Sequence, residues 1–107
     1  MRAVHLAAGV AALLVLSHQA QAAEHVVSQK GRAFSVAKLQ VRQGDTIKFV
    51  NEDPFAHNVF SLSDVKNFDL GSHGQGTSKT VVMDKAGIVE VECAVHPDMK
   101  MVVEVRK

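Results

Sequence analysis

Apolar and polar positions alternate in short runs along most of the chain. Thr46-Ile47-Lys48-Phe49-Val50 puts Ile47 and Phe49 on one face and Lys48 on the other, directly after the turn residues Gln43-Gly44-Asp45. Ile88-Val89-Glu90-Val91-Glu92-Cys93 repeats the pattern after Lys85-Ala86-Gly87, and Val89, Val91 and Cys93 share the face predicted to be buried. Further strands are predicted over 25–29, 34–41, 57–62, 78–83 and 102–106, separated by polar, glycine-bearing stretches such as GSHGQGTS (Gly71 to Ser78), where His73 reads as solvent-exposed. Residues 64–70 are the least readable part, open between a helical turn and an irregular crossover, and no long stretch has helical periodicity. This spacing predicts an all-β sandwich.

The first residues depart from that pattern. Met1-Arg2 supplies a positive start, Ala3 to Leu16 is apolar apart from His5 and Gly9, and SHQAQA (Ser17 to Ala22) ends in small residues, as in an export signal. Cleavage is expected after Ala22, with Ala20 and Ala22 in the two small-residue positions, leaving a domain over 23–107 in the periplasm. The apolar run is too short to span a bilayer, so no membrane span is expected in the mature chain.

Charge and cysteine usage remove several function classes. Without Arg2 the chain has 11 Lys and Arg against 11 Asp and Glu, and no basic run, which argues against a nucleic-acid partner. One cysteine excludes an internal disulfide, a four-cysteine zinc site, a CxxC redox pair and a haem attachment motif. Cys93 and His96 as a nucleophile and base lack an orienting acid or oxyanion motif, so no enzyme is predicted.

Cys93 stands in CAVHPDMKM (Cys93 to Met101), with His96 three residues on and Met99 and Met101 beyond. Thiolate and thioether favour Cu(I) while imidazole tolerates both copper oxidation states, so this donor set suits one copper ion held by two histidines, a cysteine and a weak axial methionine. The second histidine must come from elsewhere, and His57 is the candidate, placed where a strand ends in the turn Asn51 to Ala56.

Gly44-Asp45, Phe49, Asn51, His57-Asn58-Val59, the strand from Gly87 to Cys93 and the run Cys93-x-x-His96-Pro97-x-Met99 together resemble a cupredoxin of the plastocyanin, amicyanin and pseudoazurin type. The resemblance covers roughly residues 34 to 107 and implies a Greek-key β-sandwich of about eight strands with copper beneath the loops at one end. It implies His57, Cys93 and His96 as ligands, and Asn58 as the residue that ties the histidine loop to the cysteine loop. The axial position divides. The interval in HPxM selects Met99, which is the expected ligand, whereas plastocyanin-like spacing selects Met101, whose inward face with Val103 and Val105 suits ligation as well as packing.

The function implied is that of an exported one-electron carrier that docks briefly on a redox protein partner as a monomer. The alternative is a periplasmic copper-tolerance protein that sequesters, oxidises or hands over copper, to which FDLGSHGQG (Phe68 to Gly76) bears a looser likeness. Cleavage after Ala22 would also start the mature chain Ala23-Glu24-His25, where an amine, two amides and the His25 imidazole would suit a second Cu(II) in a square plane.

Overall fold

The computed structural model describes residues 21–107; residues 1–20, most of the expected leader, lie outside it. Eight strands follow one another: β1 (Glu24–Gln29), β2 (Lys38–Arg42), β3 (Thr46–Asn51), β4 (His57–Leu62), β5 (Asn67–His73), β6 (Ser78–Val82), β7 (Gly87–Glu92) and β8 (Lys100–Arg106). They form a three-stranded sheet in the order β1-β3-β6 and a five-stranded sheet in the order β2-β8-β7-β4-β5. The expected all-β sandwich is thus the observed architecture. Among the described residues no helix is long and apolar enough to cross a membrane.

The alternation read from the sequence is the alternation of burial. Ile47 and Phe49 of β3, Val59 of β4, Val89 and Val91 of β7, and Met101, Val103 and Val105 of β8 are buried between the sheets. Register matches these faces: Val89 lies opposite Val103 and Val91 opposite Met101, so each buried side chain meets another across the ladder. A slip of one residue would turn the whole set outward, so burial itself fixes the register.

Two segments differ from expectation. Residues 64–70, open in the sequence between a helical turn and an irregular crossover, instead contain most of β5, an edge strand antiparallel to β4 with an irregularity between Asn58 and Phe60. Over residues 67–70 this edge strand buries only Phe68 and Leu70, and those in part, which leaves a weak periodic signal. The strand expected over 34–41 is confined to Lys38–Arg42. A tight turn, in which the Lys30 N–H donates to Ala33 O and the Ala33 N–H to Lys30 O, returns the chain so that Phe34 bridges Gln29. Phe34 packs edge-on against Phe49, with ring centroids 5.9 Å apart, and residues 35–37 then cross to the other sheet.

His73 is buried, not exposed, because β5 continues to that residue and sets it opposite His57. It shares a 2.7 Å hydrogen bond, Nε2 to Oε1, with Gln29, which is buried as well and belongs to the other sheet. Burial, reinforced by the nearby His57 and Lys79, pushes its pKa down.

Gly87 opens β7 with φ 141°, a conformation L side chains rarely adopt. A Cβ there would lie 2.7 Å from Val65 Cγ2 and 3.0 Å from its Cγ1. Gly87→Ala is expected to destabilise the fold by about 1–3 kcal/mol, through overpacking and backbone strain together. Equilibrium urea unfolding checks this, and Val65→Ala in the same chain should recover part of the loss.

At the start of β3 the Asp45 carboxylate gathers three donors. Oδ1 accepts from the Ala23 backbone N–H at 2.9 Å; Oδ2 accepts from the Arg42 N–H at 2.9 Å and lies 2.9 Å from His25 Nε2. The Ala23 N–H, then His25 and the Arg42 N–H, lower its pKa from 3.8 to about 2. A carboxyl whose pKa is lower in the folded state stabilises the fold above its unfolded pKa. Asp45 therefore contributes fully above 3.8, and the contribution is lost as pH falls through about 2. Asp45→Asn should flatten the pH dependence of the urea midpoint across that window.

Candidate metal centre

The opposite end of β3 builds the site. Its buried face runs Ile47, Phe49, Asn51, and the last position is polar because the chain must turn there. Asn51 Nδ2 donates to Phe55 O at 2.8 Å and to His73 O at 3.0 Å, while Asn51 Oδ1 accepts from the Asp53 N–H at 2.8 Å. One buried amide thus shapes the turn of residues 52–56 and delivers His57 to the first position of β4 with its imidazole fully buried.

The other half comes from the loop between β7 and β8. Cys93 extends the buried face of Val89 and Val91 by one step. The Cys93 N–H donates to Met99 O at 3.2 Å and the Met99 N–H to His96 O at 2.9 Å, so the loop closes on itself. Asn58 Oδ1 accepts from the Ala94 N–H at 2.7 Å. This is the tie between the two loops that the resemblance implies for Asn58.

These loops bring together three of the residues predicted from sequence. Cys93 Sγ lies 3.7 Å from His57 Nδ1 and 3.9 Å from His96 Nδ1. One donor atom from each of the three falls within 4.8 Å of the others. Two donors on metal bonds of about 2.0 Å to nitrogen and about 2.3 Å to sulfur, set about 120° apart, are separated by about 3.7 Å. The spacing therefore fits a single ion between a thiolate and two imidazoles, a set that suits copper.

Met99 and Met101 are both buried. Met99 lies in the loop itself, bound through its backbone to Cys93 and His96, whereas Met101 lies within β8 opposite Val91. His25 stands apart from this cluster. It belongs to β1 and meets Asp45 at the other end of β3, about 20 Å away for a strand of this length.

The sequence reading missed Asp53. Its Oδ2 lies 2.7 Å from His57 Nε2, and it accepts from the Gly31 N–H at 2.8 Å and the Arg32 N–H at 3.1 Å. Burial pushes the carboxyl up, but His57 and the two backbone N–H groups more than offset this, leaving its pKa at about 2. An ionised carboxylate only accepts hydrogen bonds, so His57 Nε2 carries a proton, and in the neutral imidazole it is Nδ1, on the side of Cys93, that is left to bind a metal. The available signal was an acidic residue four positions before a predicted ligand histidine, but nothing in strand periodicity says that its side chain turns inward.

Phe55 lies against both histidines, its ring centroid 5.2 Å from that of His57 and 5.3 Å from that of His96. The Arg32 guanidinium stands 5.3 Å from the same ring. His57 is sealed, whereas His96 is partly exposed beside Val95 and Pro97. The centre consequently has one histidine facing the interior and one facing solvent.

Comparison with known proteins bears on the fold and the family. Over 64 residues the chain is 34% identical to the methylamine utilization protein MauL of Methylorubrum extorquens, a match spanning 59% of this chain and only 56% of that relative. The fold resembles that of the reduced Cu(I) form of an amicyanin variant, with a TM-score of 0.73 at 23% identity over 78% of this chain and 82% of amicyanin. It also resembles part of the copper-containing nitrite reductase of Thermus scotoductus, with a TM-score of 0.73 and 25% identity over 78% of this chain but 22% of the enzyme. Residues 21–106 match the copper binding proteins of the plastocyanin/azurin family, and the chain belongs to that copper-binding family.

Proposed function

We propose that this protein is an exported one-electron carrier whose copper is held by His57, Cys93, His96 and, axially, Met99. The observation that carries the reading is the placement of two imidazole Nδ1 atoms 3.7 and 3.9 Å from one buried thiol, with His57 sealed and His96 at the surface. A bound copper ion supplies one-electron oxidation and reduction. Cys93 offers the soft sulfur, and the two imidazoles serve both oxidation states. The ties from Asn58, Asp53 and the loop backbone hold the donors in one geometry for both, which suits rapid transfer. His96 gives the electron a short exit.

A redox partner would dock weakly around Pro54, Phe55 and Pro97, beside that exit. The equal numbers of acidic and basic residues in 23–107 give no strong long-range steering, so association should respond weakly to salt. Residues 1–22 would direct export to the periplasm and be removed after Ala22. No substrate is transformed.

Met99 is favoured over Met101 because it lies in the loop that also presents Cys93 and His96, while Met101 faces Val91 in the ladder. The test is the visible spectrum and reduction potential of the processed protein loaded with one equivalent of Cu(II). With no Trp or Tyr in the chain, bands from the metal are readily assigned. Met99→Leu should shift both spectrum and potential; Met101→Leu should leave both close to wild type and lower the melting temperature. The reverse pattern would make Met101 the axial ligand, and a colourless copper-loaded protein would overturn the carrier reading.

A further inference from the structure

At the end of the molecule away from the metal centre, we infer that Asp45 is a receptor for the chain's own new amino terminus. Cleavage after Ala22 would turn the Ala23 nitrogen into an ammonium that seats on the Asp45 carboxylate and latches β1 to the sandwich. The inference rests on the processing site proposed above.

Ala23 is already held from both sides. Its N–H donates to Asp45 Oδ1 at 2.9 Å and its carbonyl accepts from the Thr46 N–H at 3.0 Å. The position of the nitrogen is thus set by strand pairing, since β1 runs parallel to β3 with Glu24 opposite Thr46. Processing at the preceding bond leaves that nitrogen in place but adds a positive charge and further donors. A charged donor on a carboxylate is a stronger bond than the amide contact it replaces.

The surroundings leave room for the change. A cavity of about 390 Å³ opens beside Ala23 and His25, lined by Gln21, Gln40, Arg42 and Arg106. Removing residues through Ala22 would take Gln21 out of this lining and expose the new terminus to solvent on one side. The charged and titratable groups facing it are Asp45, His25, Arg42 and Arg106, and the last is already paired with Glu104 at 3.0 Å. Asp45 is the acidic group among them. It is buried, whereas the terminus it would bind is exposed.

The latch also bears on the second Cu(II) expected at Ala23-Glu24-His25. A square-planar wrap needs the Ala23 amine, the amides of residues 24 and 25 and the His25 imidazole together. Here the amine position and the imidazole both face Asp45, and the backbone between them lies in a strand paired with β3. Binding metal there would require β1 to peel from β3, so latch and wrap exclude one another.

The experiment compares three copper-loaded proteins: one beginning at Ala23, the same chain with its amino terminus acetylated, and one beginning at Gln21. The Ala23 form is expected to melt roughly 4–8 °C above the other two, the shift that a charged donor replacing a neutral one gives in a domain of this size. In Asp45→Asn the three should melt together. Equal melting of the Asp45 forms, or the same gap kept in Asp45→Asn, would overturn the latch. Should Asp45→Asn fail to fold, NMR titration of the Ala23 amine in the unsubstituted protein decides instead: a pKa above the ordinary ~7.7–8.0 supports the latch and an ordinary value overturns it. Adding a second equivalent of Cu(II) should leave the Ala23 form without a square-planar band, and a stoichiometric band would overturn the exclusion. The mass of the exported protein tests the processing site separately, since a start other than Ala23 overturns that site while the melting series still measures the latch.

Discussion

Cys93→Ser is expected to remove the intense visible absorption of the copper-loaded protein. It should also lower Cu(I) affinity by more than the roughly 10–100-fold typical of losing a group that only supports a ligand. Serine nearly preserves the shape of the side chain but replaces a soft, readily ionised thiol by a hard hydroxyl that does not ionise near neutral pH. In the proposed centre the absorption would arise from charge transfer between thiolate and metal, so it would have no source once sulfur is gone. Cys93 is buried at the end of β7, with its N–H bonded to Met99 O, and this backbone contact survives the substitution. The apo protein should therefore remain folded by circular dichroism, which separates loss of ligation from loss of structure. A retained band would place the thiolate elsewhere and refute the proposed centre.

Asp53→Asn is expected to raise the reduction potential and to weaken Cu(II) binding about 10–100-fold. The carboxylate lies 2.7 Å from His57 Nε2, so its negative charge strengthens Nδ1 as a donor and favours the more highly charged oxidised state. Asparagine still offers an oxygen to the Nε2 proton but carries no charge. Each tenfold loss of Cu(II) over Cu(I) affinity corresponds to a rise of about 59 mV for a one-electron couple. Asp53 also accepts from Gly31 and Arg32, so the 30–33 turn should loosen in parallel, read as faster amide exchange at those two residues. Faster exchange with an unchanged potential would make Asp53 a bracket for the turn alone.

The two residues show where sequence reasoning reaches and where it stops. Cys93 and His96 lie within one loop and His57 follows a recognisable strand and turn, so chemistry and spacing were enough to single them out, whereas in the sequence only the resemblance of the HPxM run favours Met99 over Met101. The strands with the deepest burial, β3, β7 and β8, were legible because they alternate under pressure from a core on one face. The weakly buried edge β5 was not, and its course decided that His73 lies inside. Asp53 acts through a hydrogen bond across a turn and has no periodic signature. The tertiary placement of Gly31 and Arg32, more than 20 positions earlier in the chain, determines that its carboxylate faces inward.

The parallel pairing of β2 with β8 has a consequence for the order of assembly. In the five-stranded sheet β8 lies between β2 and β7, although it comes last of the eight described strands. A chain emerging amino end first, from a ribosome or a translocation pore, therefore presents β2 with its interior partner missing until Lys100–Arg106 appears. The loop proposed to hold copper connects β7 to β8, so a rigid donor set cannot form before β8 has paired. Copper would be captured only once β8 has paired, and a chain stopped before β8 would leave both the sheet and the centre open.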